Sequence, residues 1–331
     1  MSSSTSLRLR LLALLLVLFV AAALAVVCDL VIVRTKPSTD MSIVIERGAT
    51  FSEAAQELAR ADVADAWELR LLERLHGGRG EVSAGKYLFR PHMTAEEVYE
   101  RLESPALPVA RWVTIPEGFT IRQIAGRLQD ERFTNARDFS AYALHHSILI
   151  GGVATRSLEG FLFPSTYLIN NDADSSAIAA MMVAEFRRML PPGAQALAAK
   201  RHESIPQVVV LASLIEREAK RDEERPLMAG VYYRRLALGM PLEVDATLEY
   251  ALAKHHAVIT RGDLERDSPY NSYLHRGLPP TPIANPGLPS LLAALHPTRT
   301  RYLYYVYRGG GRHLFAATLK EHNRNVNRYL R

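Results

Sequence analysis

The sequence predicts an α+β fold with an N-terminal transmembrane helix, a small α+β unit and a mainly helical domain with strands and proline-rich loops. Three observations lead to this prediction. An apolar run opens the chain, strand, turn and helix patterns alternate over residues 43–105, and helical patterns separated by proline-rich loops fill residues 151–331. We therefore expect a membrane segment followed by globular parts of different character.

The composition fits folded domains and gives little support to a nucleic-acid partner. Of the 331 residues, 48% are apolar and 23% are charged, which argues against a largely disordered chain. The formal net charge of +5 suits anionic lipid headgroups or an acidic polymer. Zinc-ligand spacing, aromatic RNA-binding signatures and a basic recognition helix are missing from the sequence, so we predict no nucleic-acid partner. A single cysteine, Cys28, excludes an internal disulfide.

The first predicted element is a membrane anchor at residues 11–33. Leu11–Cys28 is an unbroken apolar run, close to the roughly 20 residues that cross a hydrocarbon core, and further apolar residues follow Asp29. Arg8 and Arg10 precede the run, which predicts that residues 1–10 stay in the cytoplasm. We expect a single-pass protein of the cytoplasmic (inner) membrane with its bulk on the extracytoplasmic side.

A cleaved signal peptide is the other interpretation of this run. Ala23-Leu24-Ala25 has the small-residue pattern of a cleavage site. The apolar run is long for a signal peptide and continues past that site, so we favour the uncleaved anchor. Val27 is a poor residue to precede a lipid-modified cysteine, and we interpret Cys28 as a buried thiol. Both interpretations send the rest of the chain across the membrane.

A polar linker at residues 34–42 leads to the small α+β unit at 43–105. The patterns predict a strand at 43–45, a helix at 51–60 with Ser52 near its start, a helix at 67–75, a strand at 84–89 and a helix at 94–102. Thr94 and Glu97 have the spacing of a capping box for the last of these helices.

A connecting region of strand and helix is predicted at residues 106–150. Trp112–Thr120 leads into a helix at 121–128, which repeats the order of strand, glycine turn and amphipathic helix seen at 43–60. One recurrence is weak evidence for an internal repeat. From residue 151 onward, loops rich in proline, tyrosine and asparagine separate the helices, and such loops tend to build sites. They are Glu159–Tyr167, Ser268–Tyr273 and Gly277–Gly287.

The helix predicted at residues 207–220 carries the main catalytic candidate. Leu211, Leu214, Ile215 and Glu218 recur at helical spacing, which places the Glu218 carboxyl on the apolar stripe. Burial there would raise its pKa and let it donate a proton near neutral pH. Glu216 lies about 200° around the helix from Glu218 and must point elsewhere. A plain ion pair of Glu218 with a neighbouring cation is the competing interpretation.

Further candidates follow this helix. A helix is predicted at 227–238, and Asp245 comes just before another helix, where it could serve as an ordinary N-cap. Tyrosine and asparagine side chains in the loop at 270–273 could stack on sugar rings or hydrogen-bond to them, although packing in a core is equally compatible with tyrosine.

An ordered series of motifs makes a family resemblance specific. The chain resembles the endolytic murein transglycosylase family (MltG, YceG-like). Seven motifs carry the resemblance in this order: Leu211–Glu218, Arg235–Thr247, Tyr270–Tyr273, Gly277–Pro280, Ile283–Gly287, Ala294–Pro297 and Tyr302–Val306. The end of the chain fits as well, at His313–Phe315, Thr318, Glu321, His322 and Asn323. Val244 and Ala246 depart from the family pattern, in which Thr and Pro often flank the aspartate.

The resemblance implies a membrane anchor, a LysM-like subdomain at 43–105 and a catalytic domain at 151–331. It also implies that Glu218 is the acid/base. The substrate-binding residues that it implies are Glu216, Asp245, Thr247, Tyr270, Asn271, Tyr273 and Asn285. The LysM-like unit would either retain wall glycan or act as a spacer. The implied partners are peptidoglycan glycan strands and membrane lipid, with peptidoglycan synthases as a further candidate.

The implied reaction is lytic cleavage of the MurNAc–GlcNAc bond inside nascent glycan strands, which would terminate their elongation. The C6 hydroxyl of the same N-acetylmuramic acid would be the nucleophile, so the product is a 1,6-anhydro end, one carboxyl suffices, and no metal or cofactor is expected. Two rivals stay open: a hydrolytic muramidase using Glu218 with a second carboxylate such as Asp245, and a non-catalytic glycan-binding scaffold.

Overall fold

The mixed α+β fold predicted from the sequence is confirmed, with helices in the majority and small two-stranded sheets. The computed structural model describes residues 3–31, 37–78, 80–107, 109–253 and 259–329, and at 3–11 and 29–31 it describes the backbone only. Two compact units are present. One comprises Met1–Arg111 with Asn170–Asp172, and the other comprises Trp112–Ile169 with Ala173–Arg331. The predicted functional boundaries at residues 106 and 151 stay predictions.

Helix α1 (Ser3–Val31) opens the chain. Its large apolar side chains between Leu12 and Val27 are exposed, except Val26, which is partly buried against the core of the first unit. Within the described part of the chain, no helix combines the length and apolarity needed to cross a membrane. The predicted anchor at 11–33 and the predicted linker at 34–42 both extend outside the residues whose side chains are described, so both stay predictions.

The first unit packs helices against one antiparallel strand pair. Its elements are β1 (Met41–Ile45), α2 (Phe51–Arg60), α3 (Ala66–His76), β2 (Gly85–Phe89) and α4 (Ala95–Glu103). β1 pairs with β2 so that Ile43 lies opposite Tyr87, and the Tyr87 ring is fully buried. The predicted capping box of Thr94 and Glu97 is confirmed. α2 is capped by Thr50, and Ser52 lies near the start of the helix as predicted.

The second unit begins with a smaller subassembly. Its elements are β3 (Ala110–Thr114) from Trp112 onward, α5 (Ile121–Asp130), α6 (Ala136–His145), β4 (Leu149–Ile150), β5 (Val153–Ala154), β6 (Thr166–Asn170) as far as Ile169, and α7 (Ser175–Met189). β3 and β6 form one sheet, joined beyond β3 by the bond from the Ile115 amide to the Ser165 carbonyl. The predicted strand, turn and helix sequence before residue 128 is confirmed, and Thr120 with Gln123 forms the capping box of α5.

The rest of the second unit is built around one buried helix. Its elements are α8 (Ala194–Ala199), α9 (Ile205–Glu218), a 3-10 turn (Asp222–Glu224), α10 (Arg225–Ala237), α11 (Asp245–Ala251), α12 (Arg261–Leu264), α13 (Leu288–Leu295), β7 (Tyr304–Gly309), β8 (Arg312–Ala316) and α14 (Leu319–Tyr329). α9 packs against α8, α10, α11 and α13. Every residue from Val208 to Ile215 is buried, so α9 is the axis of the larger core.

The helix predicted at 207–220 begins and ends two residues earlier than expected. Ser204 caps its start reciprocally with Gln207, and Pro206 suits the first turn because its missing amide proton would have no partner there. Ala219 adopts an extended backbone, which ends the helix at Glu218. Glu218 is therefore the last helical residue, at the edge of the core.

Candidate active site

Glu218 stands at the end of the apolar stripe predicted from the sequence. Leu211, Leu214 and Ile215 on the same stripe are fully buried, whereas Glu218 is partly exposed. Its carboxylate Oε2 accepts a hydrogen bond of 3.1 Å from the hydroxyl of Tyr305 on β7. In the described part of the chain Oε1 has no hydrogen-bond partner, and it is not one of the enclosed polar atoms that lack one. Oε1 is thus free to meet a ligand.

The surroundings of Glu218 favour its protonated form. Withdrawal from water raises the pKa of Glu218 from 4.5 to about 7, and the charge of Asp245 adds to the rise. The hydrogen bond from Tyr305 and the charge of Lys220 oppose it, because both stabilise the carboxylate. A carboxyl with a pKa of about 7 can both give and take a proton near neutral pH.

Asp245 faces the same region from α11. Its Oδ1 accepts a hydrogen bond of 2.6 Å from the hydroxyl of Tyr273, and its side chain is exposed. The predicted N-cap role of Asp245 is wrong, because Val244 occupies the cap position and Asp245 is the first residue of α11. The structure thus brings Glu218, Asp245 and Tyr273 together, and both carboxyl groups raise the pKa of the Tyr273 hydroxyl beyond the effect of its burial.

Glu216 has an entirely different environment from Glu218, as predicted from the angle of about 200° between them around the helix. Its Oε2 lies 3.3 Å from the guanidinium of Arg225, with both side chains almost fully buried. The same oxygen accepts a hydrogen bond of 3.0 Å from the Gly287 amide. Glu216 therefore ties α9 to α10 and to the loop before α13. Its predicted contact with substrate stays a prediction, and this geometry favours an indirect role.

Glu117, which the sequence reasoning missed, lies close to this ion pair. Burial and the charge of Glu216 raise its pKa, and Arg225 opposes the rise. A side chain at position 287 would collide with the Glu117 carboxylate, so a larger residue there would have to displace this carboxylate. The Pro116-Glu117-Gly118 turn offered no periodic signal that could have identified it.

Glu159 is a second carboxyl that the sequence reasoning did not single out. It is fully buried and accepts hydrogen bonds from the Ile121 amide at 3.0 Å, the Asn285 side-chain amide at 3.0 Å and the Tyr250 hydroxyl at 3.1 Å. Burial raises the pKa of Glu159 to about 8. In the sequence, only its position between Leu158 and the apolar residues that follow could have indicated that Glu159 is buried. It lies beside a cavity of about 350 Å³ that is also lined by Tyr250 and Tyr270.

Three of the predicted substrate-binding residues are buried. Asn285 donates to the Phe119 carbonyl, Asn271 donates to two carbonyls of the preceding loop, and the Thr247 hydroxyl donates to the Val244 carbonyl. Their polar atoms hold loops together. Tyr270 is partly buried, and its hydroxyl lies 2.8 Å from that of Thr281. Direct contact of these residues with substrate stays a prediction.

Among the described residues, no three His, Cys, Asp or Glu side chains are grouped so that they could hold a metal ion. The expectation that the reaction needs no metal or organic cofactor stays a prediction.

Comparisons with known proteins agree with one another. The model of the YceG-like family matches residues 43–328. A Bacillus subtilis (strain 168) protein named endolytic murein transglycosylase is 33% identical over 308 residues, covering 88% of this chain and 85% of that protein. A protein of the same name from Streptococcus pneumoniae serotype 2 (strain D39) is 30% identical over 278 residues, which are 74% of this chain and 50% of that protein. A crystal structure of a yceG-like protein from Listeria monocytogenes superposes with a TM-score of 0.57 at 30% identity, covering 87% of this chain and 99% of that one.

Proposed function

Because the chain belongs to the YceG-like family, we propose that it is an endolytic murein transglycosylase, a lyase that cleaves peptidoglycan glycan strands with Glu218 as its acid and base. The family resemblance drawn from the sequence motifs is confirmed. The observation that carries the chemistry is the environment of Glu218: Tyr305 binds one oxygen, the other has no hydrogen-bond partner among the described residues, and burial raises the pKa to about 7.

The proposed reaction uses this one carboxyl twice. Protonated Glu218 gives its proton to the glycosidic oxygen as the bond from C1 of N-acetylmuramic acid to that oxygen breaks. The C6 hydroxyl oxygen of the same sugar then forms a bond to C1, and its proton returns to the Glu218 carboxylate. Water is neither consumed nor released, and the products are a 1,6-anhydro end and a free GlcNAc hydroxyl. Holding the internal nucleophile close to C1 supplies much of the acceleration.

The nearby Asp245 is the reason to consider hydrolysis as an alternative reaction. A hydrolytic muramidase needs a second carboxylate about 5 to 10 Å from the acid. Asp245 raises the pKa of Glu218, which places it within electrostatic reach, but its Oδ1 is bound by Tyr273. We favour the lytic reaction because the relatives are named transglycosylases.

Mass spectrometry of the products decides between these reactions. Purified glycan strands treated with the full chain should yield 1,6-anhydro ends, and the Glu218→Gln chain should yield almost none. Reducing ends from the unaltered chain would establish hydrolysis instead. Equal cleavage by the Glu218→Gln chain would remove Glu218 from the mechanism, and absence of cleavage by the unaltered chain would favour the scaffold.

Anchoring of the chain by residues 11–33 in the cytoplasmic membrane, with the catalytic part outside the cytoplasm, belongs to the same proposal. The exposed apolar side chains of α1 support it, as do Arg8 and Arg10, which precede the apolar run. In this position the enzyme would act on strands as they are made and terminate their elongation, beside the peptidoglycan synthases. A mature N-terminus at Val26 in a soluble fraction would overturn the anchor.

Glycan retention by the LysM-like unit at 43–105 is a separate part of the proposal. The catalytic carboxyl lies outside this unit, in α9. Deletion of the unit should weaken binding to insoluble wall and leave cleavage of short soluble strands. Complete loss of cleavage by a deletion chain that still folds would contradict this division.

A further inference from the structure

Two tyrosine hydroxyls form a chain of hydrogen bonds that ends on Glu218. The Tyr305 hydroxyl donates to Glu218 Oε2 at 3.1 Å, and the Tyr232 hydroxyl lies 2.8 Å from that of Tyr305. The two rings meet edge to face with centroids 6.1 Å apart. Tyr232 comes from α10 and is fully buried, whereas Tyr305 comes from β7. The two bonds thus connect α9 to the next helix, α10, through Tyr305 of β7, which lies 87 residues from Glu218.

Each hydroxyl has a single proton, and this fixes the direction of the chain. When Glu218 is ionised, Tyr305 donates its proton to the carboxylate, so Tyr232 must donate to the Tyr305 oxygen. The Tyr305 hydroxyl then donates one hydrogen bond and accepts another, and its proton cannot turn away without breaking the bond to Glu218. Such a chain is stronger than its separate bonds because each bond polarises the next.

The Tyr305 ring is itself held by the β7–β8 hairpin. Tyr305 lies opposite Phe315 in the strand register, and its ring meets the His313 ring edge to face at 5.7 Å. His313 in turn is fixed by Glu224, whose carboxylate contacts His313 Nδ1 at 2.8 Å and accepts a hydrogen bond from the His313 amide at 3.0 Å. The hydroxyl is therefore in place before a ligand arrives.

This leaves the two oxygens of Glu218 in unequal positions. Oε2 is bound, whereas Oε1 has no partner among the described residues. We propose that Tyr305, supported by Tyr232, is a positioning residue that holds Oε2 of Glu218 so that Oε1 carries out both proton transfers. This inference rests on the proposed function, because it assigns the acid and base roles to one oxygen of the same carboxyl.

Other ionisable groups also act on Glu218 and must be held constant in a test. Asp245 and Glu249 on α11 raise its pKa, and Lys220 lowers it. Glu249 is paired with Arg217 at 2.8 Å. Tyr305→Phe leaves these groups unchanged and removes only the hydroxyl. Because the lost bond stabilised the carboxylate, the pKa of Glu218 should rise by about one to two pH units in this variant.

The test compares three tyrosine variants of the full chain, purified in mild detergent, on soluble glycan strands. Tyr305→Phe should lower the maximal kcat by roughly 10- to 100-fold and move the alkaline limb of the kcat/KM profile to higher pH. Tyr232→Phe should move the limb in the same direction by a smaller amount, because Tyr305 can still donate. Tyr307→Phe is the matched control: it removes a hydroxyl from the same strand, where it accepts from the Gly311 amide, and should leave the profile unchanged.

A merely structural role for Tyr305 would lower activity without moving the alkaline limb, and that result would overturn the proposal. As a second measurement, the carbon-13 shift of the Glu218 carboxyl, assigned by its loss in Glu218→Gln, can be titrated without substrate. An unchanged titration in folded Tyr305→Phe would likewise overturn it, while the proposed function would stand if Glu218→Gln is inactive. Activity of Glu218→Gln equal to that of the unaltered chain would overturn both.

Discussion

Glu216 and Glu218 are two residues apart on α9, yet their carboxylates contact different partners on different sides of the helix. Glu216 Oε2 lies 3.3 Å from the Arg225 guanidinium and accepts from the Gly287 amide, whereas Glu218 Oε2 accepts from the Tyr305 hydroxyl. A spacing of two residues turns the helix by about 200°, which separates an internal ion pair from a carboxyl at the edge of the core. This separation allows the two roles to be tested by the same substitution.

Glu218→Gln should reduce the release of anhydro product by about 100- to 10,000-fold, because glutamine keeps the shape but cannot transfer a proton. Glu216→Gln should reduce it much less. It should instead destabilise the fold by about 2 kcal/mol, since the Arg225 guanidinium loses a buried, charged hydrogen-bond partner.

The measurement is product release beside a thermal melt for each variant. Each substitution serves as the other's control, because the chemical change is the same. An inactive Glu216→Gln chain beside an active Glu218→Gln chain would show that the facing argument assigned the wrong glutamate.

The kcat/KM for soluble strands should decrease on the alkaline side of the pH profile, with its midpoint near pH 7. The first step needs protonated Glu218, and burial raises the pKa of that carboxyl to about 7. The kcat/KM for soluble strands should therefore be high below this pH and fall tenfold per unit well above it, until other groups titrate. A limb near pH 4.5 would mean that Glu218 has the pKa of an ordinary exposed carboxyl.

Asp245→Asn should move that limb to lower pH. The charge of Asp245 raises the pKa of Glu218, and asparagine removes the charge while still accepting the Tyr273 hydroxyl bond. We expect anhydro products to persist, at a reduced rate if Asp245 also touches the sugar. The products are identified by mass spectrometry at matched pH. Loss of a reducing-end product in this variant would instead identify Asp245 as the base of a hydrolase.

Glu159 should govern stability without taking part in the chemistry. Glu159→Ala should destabilise the fold by about 3 kcal/mol, because Tyr250, Asn285 and the Ile121 amide lose a buried acceptor. Glu159→Gln keeps an acceptor and should be much milder. The free energy of unfolding of each chain, measured in urea, checks this order.

The same carboxyl predicts a pH dependence with a defined sign. The pKa of Glu159 is about 8 in the fold against 4.5 as its usual value, so the folded state binds the proton more tightly. Its contribution to stability is complete below about pH 4.5 and is lost as the pH rises through 8. The unaltered chain should therefore lose stability over this window relative to Glu159→Gln. Parallel stability curves for the two chains would contradict the buried, protonated state.

Local signals in the sequence determined several helices in both units. Thr94 with Glu97 predicted a helix start because a capping box acts within four residues. Leu211, Leu214 and Ile215 predicted which face of α9 is buried, and through it the opposite directions of Glu216 and Glu218. Both ends of α9 were predicted two residues too late in the sequence. At its C-terminal end, Ala219 leaves the helix although no local sequence signal marks this position.

The sequence by itself determined the α+β class, the family and the glutamate that ends the apolar stripe, since each can be recognised from patterns along the chain without knowing which distant segments meet. Only the tertiary structure decided what each carboxyl touches. Tyr305 reaches Glu218 from 87 residues away, and Asn285 reaches Glu159 from 126 residues away. Burial and hydrogen bonds between distant segments set the pKa of both carboxyl groups. The periodicity of one segment does not show which distant side chain will supply those bonds. The pairs Tyr305–Glu218 and Asn285–Glu159 could therefore be identified only from the tertiary structure.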